Sequence, residues 1–331
     1  MNTETDINAI TEKIQRDTQA IDRILQQMDK VVVGQRHMVE RLIIGLLCNG
    51  HVLLEGVPGL AKTLTVSTLA RIIGGEFKRI QFTPDLLPAD LTGTLIFDQS
   101  SGSFRAEKGP IFANLVLADE VNRAPAKVQS ALLESMQERQ VTIGNETYAL
   151  DDPFLVMATQ NPIEQEGTYS LPEAQIDRFM IKVKVGYPSR EEERAILDRM
   201  GDEYDIDVEA AVSIDEIRTL RESMRLVYVD DKIKDYVVDL VHATRYPSDV
   251  GMGELADFIE YGSSPRATIF LIRTARAHAF IRRRGYVTPE DVKAVGADVL
   301  RHRIAISYEA EAEEVDSDEI VRRLFDHVEV P

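Results

Sequence analysis

Two glycines, a lysine and a threonine stand at fixed spacing in GVPGLAKT (56–63), and two adjacent carboxylates, Asp119 and Glu120, end the run LVLADE (115–120). These residue types suit phosphoryl transfer. Gly56 and Gly59 let backbone N–H groups turn inward with no Cβ in the way, and a following helix would present its positive N-terminal end to phosphate oxygens. Lys62 would reach the β- and γ-phosphates of a nucleoside triphosphate, and the Thr63 hydroxyl would ligate Mg2+. Asp119 would serve the same cation while Glu120 polarises the attacking water, since alternation along a strand sends the two side chains in different directions. Read alone, the two acids equally suit the cap of a following helix.

The loop departs from the pattern G-x-x-x-x-G-K-[ST] at one place, because Ala61 stands where the second glycine belongs. A right-handed φ at the start of the helix would accept its methyl group.

Three further polar residues follow in order. Asn161 ends FLVMATQN (154–161), where a neutral amide would orient the lytic water or simply turn the chain before Pro162. Arg178, in LPEAQIDRF, precedes a strand at a domain edge. There it is a solvated charge in a monomer, but in a ring it could stabilise the transition state at a neighbour's γ-phosphate. Arg266, in GSSPRA, falls in the first turn of a helix, where guanidinium and helix dipole would act together on phosphates.

The elements that must carry these residues are legible from periodicity. Ile7, Ile10, Ile14, Ile21, Ile24, Leu25 and Met28 recur at helical steps and predict one N-terminal helix. A second, with Met38, Leu42, Ile43, Leu46 and Leu47, follows VVVGQ and stops at Gly50. Short apolar runs then alternate with helical patterns: HVLLE (51–55), FKRIQFT (77–83), LVLADE, FLVMATQN and FMIKVKV (179–185). This alternation predicts an α/β domain with a five-stranded parallel sheet covered on both faces, over 1–187. TLIFDQSSGSFRAE (94–107) and QVTIGNETYAL (140–150) read as β-hairpins inserted between the main elements. Beyond Tyr187-Pro188 the strands disappear. Helices are expected near Glu191, Ile214, Asp231, Pro265, Pro289 and Ser317, with Ser264-Pro265 and Thr288-Pro289 as start signals, so 188–331 is expected to be all-helical.

Composition excludes several classes. With 44% hydrophobic and 28% charged residues the chain of 331 residues is an ordinary globular protein. Its longest apolar run, Leu42–Cys48, is far below the roughly 18 to 20 residues of a bilayer span, and the start MNTETDINAI lacks a secretion signal. The cytoplasm is the expected location, with no membrane insertion. Cys48 is the single cysteine and reads as core packing, and six scattered His make no metal site. A formal charge of −18 repels phosphate backbones over most of the surface. Only 11 of the 38 basic residues are Lys, a composition compatible with a salt-adapted host or with genomic bias.

In VVVGQ, EGVPGLAKT, QFTPDLLPADLTG, GPIFANLVLADEVNRAPAKVQSALLESMQE, ATQNPIEQEGTYSLPEAQIDRFM and GSSPRA the chain resembles AAA+ ATPases of the MoxR family, over about residues 10–305. The resemblance implies an AAA+ P-loop core followed by a helical lid, assembled as a homo-oligomeric ring, usually a hexamer, with ATP and Mg2+ between subunits. It casts Gly56, Val57, Pro58, Gly59, Leu60, Ala61, Lys62 and Thr63, with Leu64 after them, as the Walker A loop. GVPGxAKT is similar to this family's own version, so Ala61 need not prevent binding. Asp119 and Glu120 become the Walker B pair, Asn161 sensor 1, Arg178 the arginine finger and Arg266 the sensor 2 arginine. Val33 and Gly34 match the segment against the adenine, and Arg123 in EVNRAP resembles a further interface arginine. The two hairpins resemble inserts facing the pore or a partner. Members of the family resemble chaperone-like assembly factors acting with a von Willebrand factor A domain protein, here a separate chain.

Three functions are compatible with this sequence. The first is an ATP-hydrolysing remodeller of a protein client. The second is a nucleic-acid motor, for which Arg273, Arg276, Arg282, Arg283 and Arg284 form a basic cluster; the acidic balance disfavours it, and pairing with the tail EAEAEEVDSDE (309–319) or a neighbouring subunit is the expected use of that cluster. The third is a scaffold whose assembly is gated by nucleotide with little turnover.

Overall fold

A computed structural model describes residues 3–100, 102–161, 169, 171–200 and 207–331. Residues 162–168 and Ser170 of the ATQNPIEQEGTYSLPEAQIDRFM stretch lie outside them.

Helices α1 (Thr3–Asp17), α2 (Gln19–Val31) and α3 (Arg36–Cys48) come first. The single N-terminal helix expected from periodicity is thus two. Thr18 separates them: its hydroxyl donates to Ile14 O at 2.8 Å, and the next backbone bond, Ile21 N–H to Thr18 O, is the tighter i to i−3 type.

Strand β1 (Val52–Glu55) opens the sheet and runs through the 56–61 loop into α4 (Lys62–Ile72), followed by β2 (Phe77–Gln81) and the short α5 (Pro88–Thr92). Hairpin β3 (Gly93–Asp98) and β4 (Ser103–Lys108) precedes β5 (Leu115–Asp119). Helix α6 (Ala126–Glu138), hairpin β6 (Gln140–Ile143) and β7 (Glu146–Ala149), strand β8 (Leu155–Gln160), helix α7 (Glu173–Ile176) and β9 (Ile181–Lys184) complete this part. The five-stranded sheet has the order β2-β5-β8-β1-β9, with β1 parallel to β8, β8 to β5 and β5 to β2. Val116, Leu117, Ala118, Val156, Met157 and Ala158 are completely buried, as central strands covered on both faces require. Both hairpins form where expected. They differ in burial: β6 turns Val141 and Ile143 into the core, whereas β3 and β4 leave Leu95, Ile96, Phe97 and Phe104 exposed.

Buried His51 shows how tightly this core is tied. Its Nε2 lies 3.0 Å from Met136 O, and its Nδ1 accepts from Val156 N–H at 3.0 Å, so the neutral ring joins the end of α6 to β8. Burial, aided by the nearby Arg139 charge, pushes its pKa down from 6.5 to about 3. The unfolded chain takes up this proton near 6.5 and the folded chain only near 3, so the contribution is complete above 6.5 and drains as pH falls towards 3. Within that window the expected loss is about 1.4 kcal/mol per pH unit from this group. Urea unfolding along the acid limb measures it, and His51→Gln is expected to flatten the slope.

Helices α8 (Arg190–Met200) and α9 (Ile214–Arg225) lead into α10 (Asp231–Arg245), α11 (Pro265–Ile281), α12 (Pro289–Leu300), α13 (Tyr308–Ala312) and α14 (Ser317–His327). The starts at Pro265 and Pro289 carry the expected caps: Ser264 accepts from Arg266 N–H, and Thr288 and Asp291 form a capping box. This part is not purely helical, because β10 (Ile259–Tyr261) pairs antiparallel with β11 (Ala305–Ile306). Two and three residues are too short to show a period of two.

The compact units also depart from a split at 187. One comprises Asp22–Phe179 and Val183–Arg218, the other Met1–Ile21, Met180–Lys182 and Thr219–Pro331. Helix α1 joins the second unit through Lys13, whose Nζ donates to Ser223 Oγ at 2.5 Å, and through Gly285, where a Cβ would strike Thr11 Oγ1 at 2.5 Å. A contact between residues over two hundred positions apart leaves no local trace in the sequence.

Candidate functional site

The 56–61 loop turns at the carboxyl end of β1, the side of an open parallel sheet where ligands bind. Gly56 N–H donates to Gln160 O at 3.3 Å, and a Cβ on Gly56 would lie 2.6 Å from Val185 O, so only glycine lets the loop leave the sheet here. Gly59 (φ +84) faces open space. Leu60 is buried beneath the loop, Val57 half-buried and Pro58 exposed.

Ala61 is where the local reading fails. It is the N-cap of α4 with φ 57 and ψ 18, left-handed, not right-handed as expected. The glycine of the general pattern answers a real backbone demand, and an alanine there carries about 1 to 2 kcal/mol of strain. Ala61 O accepts from Thr65 N–H at 2.9 Å and from the Thr65 hydroxyl at 2.9 Å, which helps to hold the turn.

Lys62 and Thr63 begin α4, with Leu64 in the same half-buried first turn. Lys62 Nζ folds back over the loop and donates to Gly56 O at 2.6 Å. Burial pulls its ammonium below the usual range, against the opposing pull of the Asp119 and Glu120 carboxylates. Those two acids, nearly sixty residues away, thus share a field with Lys62.

Asp119 is the last residue of β5, but Glu120 is already off the strand with φ 56, so a turn of the backbone rather than alternation separates the two carboxylates. Thr159 on β8 links them: its hydroxyl donates to Asp119 Oδ1 at 2.6 Å and accepts from Glu120 N–H at 2.8 Å. Asp119 Oδ2 receives Arg79 through Nη2 at 2.6 Å and Nε at 3.1 Å. Arg79 Nη2 also donates to Gln81 Oε1 at 2.9 Å, which turns the amide so that Gln81 Nε2 donates to Glu120 Oε2 at 2.9 Å. Arg123 Nη1 reaches the same Oε2 at 2.9 Å, so the arginine expected at an interface engages Glu120 of its own chain. Arg79, Gln81 and Thr159 were not singled out from the sequence. The signal available was the alternation in FKRIQ, which puts Arg79 and Gln81 on one face of β2, with Gln81 beside Asp119 in the register.

The two residues expected to hold a cation, Thr63 at the start of α4 and Asp119 at the end of β5, both offer oxygen. They fit Mg2+, which takes one or two protein oxygens and fills its other positions with water and phosphate. Among the described residues no group of three or more His, Cys, Asp or Glu could hold an ion unaided.

The remaining expected residues sit as follows. Asn161, buried, follows the last residue of β8. Val33 and Gly34 precede α3 in the same unit; Gly34 has φ +67, and a Cβ there would meet Glu192 Oε1 at 2.4 Å. Arg178, half-buried, is on the turn after α7, its N–H donating to Gln175 O at 3.2 Å. Arg266 belongs to the other unit, in the first turn of α11. Of the basic cluster nearby, Arg284 is committed to buried Asp291 at 2.7 Å, not to the acidic tail. In that tail Glu319 pairs with Arg322 and Arg323. No described helix is long and apolar enough to cross a membrane.

Comparison with known proteins gives the family. Residues 51–181 match the model of the ATPase family associated with various cellular activities, and residues 255–324 that of the AAA lid domain. Chaperone MoxR1 of Mycobacterium tuberculosis is 50% identical over 97% of this chain and 85% of its own length. Protein MoxR of Methylorubrum extorquens is 32% identical over 94% of this chain and 95% of its own. A crystal structure from Cytophaga hutchinsonii, of a protein described as an ATPase by inference, aligns with a TM-score of 0.92 at 50% identity and 98% coverage of both chains. With the sheet order, the loop and the two carboxylates in place, the chain belongs to the MoxR family of AAA+ ATPases.

Proposed function

We propose that this chain binds ATP with Mg2+, hydrolyses it in a homo-oligomeric ring, and uses the turnover to remodel a protein client together with a von Willebrand factor A domain partner. The observation that carries the reading is the convergence of Lys62, Asp119 and Glu120 at the carboxyl ends of β1 and β5, with the Lys62 ammonium in the field of both acids. The 56–61 loop and the N-terminus of α4 cradle the phosphates, with Lys62 leaving Gly56 O to reach them. Thr63 and Asp119 hold the cation, which when bound neutralises charge developing on the transferred phosphoryl group. Glu120 takes the proton of the attacking water and Asn161 orients that water. Arg178 of a neighbouring copy and Arg266 supply guanidinium groups to the phosphates, and Val33 and Gly34 line the base.

The exposed β3–β4 hairpin supports a protein client. Phe97 and Phe104, 51% and 67% exposed, stack edge to face at 5.3 Å, and with Leu95 and Ile96 they keep apolar side chains in water.

Lys62→Ala tests the nucleotide reading. Calorimetric titration with ATP and Mg2+ is expected to show affinity lowered about 10- to 100-fold, the worth of a charged hydrogen bond to phosphate. Unchanged affinity would remove the loop from the site.

A further inference from the structure

The Arg79 guanidinium occupies Asp119, the carboxylate assigned to the cation. We propose that Arg79 is a positioning residue that guards Asp119 against Mg2+ and so sets how much Mg2+ the chain needs to bind nucleotide tightly. The inference rests on the nucleotide site proposed above and adds a control element to it.

The geometry is specific. Arg79 meets Asp119 Oδ2 with two nitrogens, at 2.6 and 3.1 Å, while Thr159 holds Oδ1 at 2.6 Å, so both carboxylate oxygens are engaged. A ligand for a divalent cation needs its negative charge facing the ion. Here a positive group neutralises it. The pair is one-sided in exposure: the Arg79 side chain is 49% exposed and Asp119 only 16%. Arg79 is therefore the partner able to swing into solvent, and Asp119 stays fixed by Thr159. The same Nη2 orients Gln81, which in turn holds Glu120 Oε2, so departure of one guanidinium alters the surroundings of both carboxylates at once. Arg79 and Gln81 lie on β2, four and two residues ahead of Thr83, where the chain leaves the sheet towards α5 and the exposed β3–β4 hairpin. A pull on that hairpin thus has a covalent route to the guard.

The experiment uses the full chain and fluorescently labelled ADP, which is not turned over. Binding is measured across a series of Mg2+ concentrations and again in EDTA. For Arg79→Met the Mg2+ concentration giving half of the affinity gain is expected to fall about fivefold, the scale of an exposed ion pair, with affinity in EDTA unchanged. Arg79→Lys, which keeps the charge but loses the fork, is expected to stay closer to the parent. An unchanged Mg2+ midpoint in Arg79→Met would overturn the proposal. So would an equal affinity change in EDTA, or an Arg79→Lys midpoint matching that of Arg79→Met. Parent protein that binds no labelled ADP at any Mg2+ concentration would instead sink the nucleotide site itself.

Discussion

Arg178→Ala is expected to lower ATP turnover of the assembled protein by about 10³- to 10⁵-fold while each subunit still binds nucleotide. The effect should be this large because a guanidinium on the transferred phosphoryl group acts where charge develops, in a site from which water is excluded. The location is apt: Arg178 is half-buried on the turn between α7 and β9, after the cradle and carboxylates of its own chain have been built from other strands. Mixed rings give the decisive measurement. Arg178→Ala and Lys62→Ala subunits, each impaired alone at an ATP concentration too low to fill the Lys62→Ala site, should recover turnover when combined, because junctions then form with Lys62 intact on one side and Arg178 on the other. If the Arg178 variant hydrolyses at the parent rate as a dilute monomer, the shared site is wrong.

Glu120→Gln is expected to lower kcat by about 10²- to 10⁴-fold, the range for loss of a general base, and to leave the affinity for ATP with Mg2+ within a few fold of the parent. The amide occupies the same volume and keeps an oxygen for Arg123 and Gln81, so the network around it persists while the proton acceptor is lost. Steady-state turnover beside equilibrium binding separates the two effects. The measurement also decides between a motor and a gated scaffold. Parent rings with turnover at background, indistinguishable from Glu120→Gln, would favour a scaffold in which nucleotide sets assembly alone.

Much of the candidate site is legible along the chain because its parts are local. A glycine-containing turn opening a helix, an apolar run ending in two acids and an apolar run leading to Asn161 each announce themselves within ten residues. The strands emerged for the same reason, since runs buried on both faces are continuous in apolar residues. What stayed hidden depends on lateral neighbours. Arg79 and Gln81 matter because β2 pairs with β5 in a register that sets Gln81 beside Asp119, and Thr159 because β8 lies on the other side. Nothing within FKRIQ states which strand will be next to it. Ala61 misled for a related reason: a residue's own propensity is right-handed, but in the turn from the loop into α4 it is left-handed.

From the order of residues alone came the α/β frame and the candidates for its chemistry, the glycine-containing loop with Lys62 and the acids Asp119 and Glu120, because local spacing and period mark each of them. Tertiary structure decided which groups those residues meet. It placed Arg79 on Asp119, Gln81 and Arg123 on Glu120, and Lys62 over Gly56 O. It also moved α1 into the helical unit. These are contacts between residues distant in the chain, made by strand register and packing, and a one-dimensional pattern does not encode which distant partner a side chain will meet.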